Sequence, residues 1–283
     1  MTAVDLSIAL DPRSVAIVGA SENPNKIGGR PLLYLNRFGF RGKIYPINSA
    51  RPRVQGYATY PDLDALPEVP DLVIVAVPGD AAVETVEACA LRGVKIAVVM
   101  TSGFGETSAP EGRAKERRMV AAARAGGMRM VGPNSQGLAN FGTGAVASFS
   151  TMFLEEPPAD GPIAVISQSG SMSVVPYGLL RQRGLGVRHT HATGNDADVT
   201  VAELAAAADD VRRALQRLRM APLFAGVRGE PALDVDAFCA AAVAVGSLML
   251  EAAPRTLSLD CNPVLLGAAG EGYVVVDALA IVE

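Results

Sequence analysis

At 283 residues, of which 49% are hydrophobic and 19% charged, the chain has the length of about two domains of roughly 150 residues each. Its net charge of −4, spread over interspersed acidic and basic residues with no dense basic tract, excludes nucleic acid as a principal partner. The longest apolar run, Phe238 to Leu250, falls short of the roughly 20 residues that span a bilayer, and the N-terminus has no basic region followed by an apolar one. The expectation is a soluble cytoplasmic protein without export signal or membrane anchor.

In chain order, Val15 to Val18 read as a buried strand that stops on Gly19, where the backbone can turn without a side chain in the way. Ala20 and Ser21 leave room for a ligand. A helix starting near Ile27 would aim its unpaired N–H groups at a bound phosphate. G-x-G-x-x-G is absent and the loop to Gly28 is too long for it, so this is not the dinucleotide fingerprint. The same turn also serves as a bare packing device. A second strand, Lys43 to Ile47, ends on Asn48 and Ser49, with Arg51 and Arg53 just beyond. An NAD site would place an acidic residue there for the ribose diol; a neutral and then basic end favours a phosphorylated ribose, as in NADP or coenzyme A, and reads alternatively as a solvated turn.

Strands at Leu72 to Val77, Val94 to Met100 and Met128 to Val131 alternate with helices at Asp80 to Arg92 and Glu111 to Ala125. This is the pattern of a doubly wound parallel sheet whose ligand site lies at its carboxyl edge, over residues 1–145. The Pro-rich break Glu155 to Pro162 leads into a second unit, 146–204. Here a strand at Ile163 to Ile166 turns through Ser167, Gln168, Ser169 and Gly170 into a helix, Ser171 to Arg183, carrying Pro176. Hydroxyls and a glycine at a helix start form an anion pocket by the same physics as the first turn. Val187 to Ala192 is a further strand that puts His189 and His191 on one face, a zinc half-site without an evident third ligand. Cys89, Cys239 and Cys261 are too scattered for a disulfide framework or metal cluster and read as small buried residues.

The segments SVAIVGASENPNKIGGRPLLYL, GKIYPIN, VAVP, TSGFGE, VGPNSQGLAN and IAVISQSGSMSVVPYGLL, in this order, resemble the NDP-forming acyl-CoA synthetases, related to succinyl-CoA synthetase and including ADP-forming acetate–CoA ligases. The resemblance covers residues 10 to about 204. It implies a Rossmann-like CoA-binding domain followed by a flavodoxin-like one. Gly19, Ala20 and Ser21 would then cradle the CoA phosphates, Asn48 would lie near the adenosine, and Val77 and Pro78 would line the cleft. Thr101, Ser102 and Gly103 would border the pantetheine arm, Gly132, Pro133 and Asn134 the thiol end, and Ser167 to Gly170 would hold the phosphate relayed between sites. Ser135-Gln136 replaces the Cys-Leu of many members, and no role is implied for that pair.

Residues 205–283, with APLFAGVRGEPALDVDAF, LSLDCNPVLL and YVVVDALAIV, resemble the closing segment of the family's ATP-grasp domain. Asp260, Asn262 and Asp277 match its magnesium ligands; without the resemblance, D-C-N-P is only a strand end with a turn. Around Glu203 to Ala208 the sequence passes straight from the second unit to this segment. The portion that full-length relatives carry in between would hold the phosphate-carrying histidine in a Ser-His-Thr-Gly context, absent here, and most of the ATP-grasp fold. His189 and His191 do not match that motif, and no catalytic residue is assigned.

The family reaction joins a small carboxylic acid to CoA through acyl phosphate, using ATP or ADP and magnesium. This chain is expected to bind CoA or acyl-CoA without completing it, the alternatives being a regulatory CoA-binding module and an NADP oxidoreductase. A second unit with two strands would expose an unpaired sheet edge. The C-terminal segment, with helical patterns at Ala206 to Leu218 and Val235 to Leu250 and strands near Leu257 and Val274, could fill that place; disorder or association into a homo-oligomer through the edge is the other outcome.

Overall fold

In the computed structural model, residues 6–205, 224, 226, 231–251, 256–261, 264–275 and 278–282 are described. The chain divides into two units, Met1–Val201 and Ala202–Glu283.

The first unit begins with a short helix, α1 (Ser7–Leu10), and then β1 (Ser14–Val18), α2 (Arg30–Arg37) and β2 (Lys43–Ile47). A small hairpin follows, β3 (Arg53–Val54) with β4 (Tyr57–Ala58), then β5 (Leu72–Val75), α3 (Gly79–Arg92), β6 (Ile96–Val99), α4 (Pro110–Ala125) and β7 (Arg129–Val131). The strands pair in parallel in the order β2-β1-β5-β6-β7. Continuous apolar runs produce this, because helices cover both faces and every residue of β5 and β6 is buried. Counting only these five strands, the order is 2-1-3-4-5. The direction of winding reverses between β1 and β5, and the crevice at their carboxyl ends is where such sheets bind ligands. Gly19 follows β1 there, and Val77 follows β5.

The second sheet is built from more strands than the sequence suggested. A hairpin of β8 (Gly137–Asn140) and β9 (Ala145–Ser148) joins β10 (Ile163–Ser167) and β11 (Val187–Ala192) in the order β10-β11-β8-β9. Only β10 and β11 are parallel; β8 runs antiparallel to β11. Between them lie α5 (Met152–Glu155) and α6 (Gly170–Gln182). Tyr34 of α2 is buried in one cluster with Phe153, Val174 and Tyr177, and its ring lies 5.3 Å from Phe38 and 5.9 Å from Phe153. Its hydroxyl donates to the Ser150 carbonyl, so the first crossover helix is shared between the two sheets. Burial pushes that phenol up to about 12, which keeps it a neutral donor.

In the second unit, α7 (Val201–Ala205) straddles the division, and α8 (Val235–Glu251) is followed by β12 (Thr256–Cys261), β13 (Val264–Leu266), β14 (Tyr273–Val275) and β15 (Ala278–Val282). They form two antiparallel pairs, β12 with β15 and β13 with β14. Asp234 caps α8 by accepting the Ala237 N–H, and its other oxygen accepts from Gly270 and Gly272. The N–H of Ala237 and those of the glycines together hold its carboxyl below its ordinary value. The helix expected at Ala206 to Leu218 lies outside the described residues. Among the described residues no helix is long and apolar enough to cross a membrane.

Candidate functional site

Gly19 takes φ +85°, and a Cβ there would lie 2.9 Å from Val77 Cγ1 and 3.0 Å from the Ala76 carbonyl oxygen. The loop that follows folds onto it: a Cβ at Gly28 would sit 2.1 Å from the Gly19 carbonyl oxygen. This moves the helix start. Instead of Ile27, α2 begins at Arg30 with Gly29 as its cap and Pro31 in its first turn. Arg30 is buried and bonds the Pro24 and Phe149 carbonyls and the Asn25 side chain. The N–H groups of Ala20 and Ser21 already donate to Ile47 and Gly28, each at 3.2 Å. The side-chain donors at and beside this turn are half-buried Ser21 and exposed Lys26, Arg51 and Arg53.

The other predicted residues form one rim along the carboxyl edge. Asn48 Nδ2 donates to the Ala20 carbonyl at 2.9 Å, while its Oδ1 accepts the N–H groups of Ala50 and Arg51. Thr101 Oγ1 donates to the Val77 carbonyl at 3.1 Å, and Asn134 N–H donates to the Thr101 carbonyl at 2.9 Å. Pro78 caps α3, and Ser102 and Gly103 are exposed beyond β6. Gly132 and Pro133 are buried beneath the turn at Asn134, which takes φ +58°.

A cavity of about 600 Å³ continues the rim into the second sheet. Its walls include Asn134, Gln168, Ser169, Gly170 and Asn195. Ser169 caps α6 by accepting the Met172 N–H, and its own N–H goes to Ser167 Oγ at 3.2 Å. The cavity also holds a group that the sequence did not flag. Asn195 Nδ2 donates both to Glu106 Oε2 at 2.6 Å and to Glu116 Oε2 at 2.7 Å. Burial alone would raise the Glu106 carboxyl, but Asn195 and the N–H groups of Gly103 and Phe104 outweigh it and hold it below its ordinary value. Gln55 is the other unflagged residue: at φ +48° its Nε2 bonds the Ser21 and Gly29 carbonyls and so closes the first loop. Its signal was the glycine at 56 in a short hairpin turn.

His189 and His191 lie side by side on β11, ring centroids 5.1 Å apart. Among the described residues no group of three or more His, Cys, Asp or Glu side chains could hold a metal ion. Of the three residues matched to magnesium ligands, Asp260 lies on β12, and Asn262 and Asp277 lie outside the described residues. Burial, with His189 beside it, pushes the His191 imidazole well below its ordinary value. The folded chain keeps this ring neutral, whereas the unfolded chain takes up a proton below about pH 6.5. Stability is therefore expected to fall as pH drops below about 6.5, by up to about 1.4 kcal/mol per pH unit from this group. Urea unfolding of native chain and His191→Gln across that range measures it; equal slopes for both would contradict the assignment.

A model described as a CoA binding domain matches residues 13–140, and one described as an ATP-grasp domain matches 184–282. The alpha subunit of ADP-forming acetate–CoA ligase I from Pyrococcus furiosus is 33% identical over 205 residues, 71% of this chain and 43% of that protein. The beta subunit of the second such ligase in that organism is 33% identical over 86 residues, 30% of this chain and 36% of that protein. Among solved structures, dinucleotide-forming acetyl-coenzyme A synthetase 1 of Ca. Korarchaeum cryptofilum, in complex with phosphate and ADP, superposes with a TM-score of 0.65 at 33% identity. That match covers 71% of this chain and 42% of the other. The chain thus spans less than half the length of these relatives. With a parallel-sheet CoA-binding domain and a segment of an ATP-grasp domain in one polypeptide, the chain is similar to the NDP-forming acyl-CoA synthetases.

Proposed function

We propose that this chain binds coenzyme A along the carboxyl edge of its first sheet and, by itself, does not complete acyl-CoA synthesis. The observation that carries this reading is the unbroken rim from Gly19 through Asn48, Val77, Thr101 and Asn134 to the cavity at Gly170, joined largely by hydrogen bonds between neighbouring loops. An elongated ligand with phosphates at one end and a thiol at the other suits such a rim. The phosphates would meet Ser21, Lys26, Arg51 and Arg53, and the thiol arm would run over Thr101 to Asn134. The start of α6 would take a small anion through the N–H groups of Gly170 and Ser171.

The phosphate relay that the family resemblance implies needs a carrier side chain with access to a nucleotide. His189 and His191 are 6% and 1% exposed, enclosed in a strand, and fit no carrier role. Magnesium and ATP enter no step derived from these residues. Calorimetry with CoA, dephospho-CoA and NADP, paired with thiol consumption in the presence of ATP, magnesium and a panel of short-chain and aromatic acids, tests both halves. CoA should bind, NADP should not, and no thiol should be consumed. Equal binding of CoA and NADP, or none, overturns the first half; turnover overturns the second.

A further inference from the structure

The loop between β6 and α4 borders the cavity and is held by two carboxylates. Glu106 accepts the N–H groups of Gly103 and Phe104, and Glu116 accepts that of Gly105 at 3.0 Å. Both carboxylates also accept from one nitrogen, Asn195 Nδ2, so two like charges are drawn to a single neutral donor. Asn195 belongs to the other sheet, in the segment that follows β11. Consecutive backbone bonds seat that segment: the N–H groups of Thr193, Gly194 and Asn195 donate to the carbonyls of Ser167, Gln168 and Pro133 at 3.0, 3.0 and 2.9 Å. Gly194, at φ +69°, leaves no room for a side chain, since a Cβ there would stand 2.2 Å from the Pro133 carbonyl oxygen. One short segment thus ties together the turn after β10, the turn at Pro133 and Asn134, and the loop from Gly103 to Gly105.

We propose that Asn195 is a positioning residue for the thiol arm of coenzyme A, fixing the loop 103–105 against the turn 133–134 so that the arm meets a preformed wall. This rests on the coenzyme A reading above and adds to it what shapes the arm's end of the rim. A wall ordered before the ligand arrives spares the cost of ordering it on binding. The amide is suited to the task because it donates to both carboxylates without adding charge, whereas an aspartate of the same shape would offer a third acceptor and a third negative charge.

Calorimetry on the whole chain with CoA and with adenosine 3′,5′-bisphosphate, which lacks the arm, tests this. The native chain should bind CoA more tightly than the bisphosphate. Asn195→Ala, measured below its melting range, should weaken CoA about 10-fold and leave the bisphosphate within about twofold, because the nucleotide end lies at the turn after β1. Asn195→Asp should weaken CoA further, about 100-fold, again without moving the bisphosphate. Equal losses for both ligands would make Asn195 a residue of the fold alone, and unchanged CoA affinity in a folded Asn195→Ala chain would take it out of the site; either overturns the proposal. So does a native chain that binds the two ligands equally, since the arm would then make no contact. Each of these results leaves the coenzyme A reading standing, whereas a native chain that binds neither ligand overturns that reading and this proposal with it.

Discussion

Replacing Asp198 by alanine is expected to lower the stability of the first unit by about 2–4 kcal/mol. The carboxylate is fully buried and receives Arg124 Nε at 2.9 Å, Arg129 Nε at 3.0 Å and the Met130 N–H at 2.9 Å. Arg129 also donates to the Asp198 carbonyl, and the neighbouring Val199 N–H to the Met130 carbonyl. Asp198 thus fastens the segment after β11 to β7, the last strand of the first sheet. Removing it takes a buried carboxylate away from the half-buried Arg129 and leaves the Met130 N–H without the acceptor that Asp198 supplies. The more exposed Arg124 recovers water, which is why the figure lies at the lower side of buried-pair losses. Asp198→Asn, which keeps an acceptor for Met130 but not the charge, should fall between the two. Urea midpoints report the order; an Asp198→Ala chain within about 0.5 kcal/mol of the native one would show that the clasp carries no net stability.

The clasp shows what a sequence reading reaches and what it does not. Strands such as Lys43–Ile47 and Val187–Ala192 were legible to the residue, because each is a short stretch with β-branched or aromatic residues bounded by turn residues. The hairpin Gly137–Asn140 and Ala145–Ser148 was not, since its glycine, alanines, asparagine and serine carry little strand preference and it is held by pairing to a strand about 50 residues later. Asp198 reaches Arg124 and Arg129 from 74 and 69 positions away, and no local pattern encodes such a contact.

The candidate site divides along the same line. Gly19, Asn48, Val77, Thr101 and Asn134 were legible because each follows an apolar run, and strand ends in a parallel sheet share one edge. The partners of their backbone groups were not. Ala20 and Ser21 leave room for a ligand on sequence grounds, but their N–H groups are taken by Ile47 and Gly28 once the loop closes. Likewise Glu106, Glu116 and Asn195 meet across 79 and 89 positions. The acidic side of the cavity therefore emerges only in three dimensions.

Gly19→Val is expected to remove CoA binding and to cost about 3 kcal/mol of stability, combining a β-branched residue in the left-handed region with overpacking. A valine resists the φ of +85° at this turn, and its Cβ would press on Val77 Cγ1 at 2.9 Å and on the Ala76 carbonyl at 3.0 Å. Both contacts belong to the end of β5, so relief requires β1 and β5 to part at the crevice where the winding reverses. The Gly19 carbonyl, against which Gly28 is seated, would move with them, taking the Ser21–Gly28 bond and the Asn48–Ala20 bond out of register. Gly19→Ala faces the same φ and the same first contact without the branched carbons, so it should retain weakened binding. Calorimetry with CoA at a temperature where thermal melts show each variant folded separates loss of site from loss of fold. Full affinity in a folded Gly19→Val chain would remove this turn from the binding site and leave the rim from Asn48 to Gly170 to account for CoA on its own.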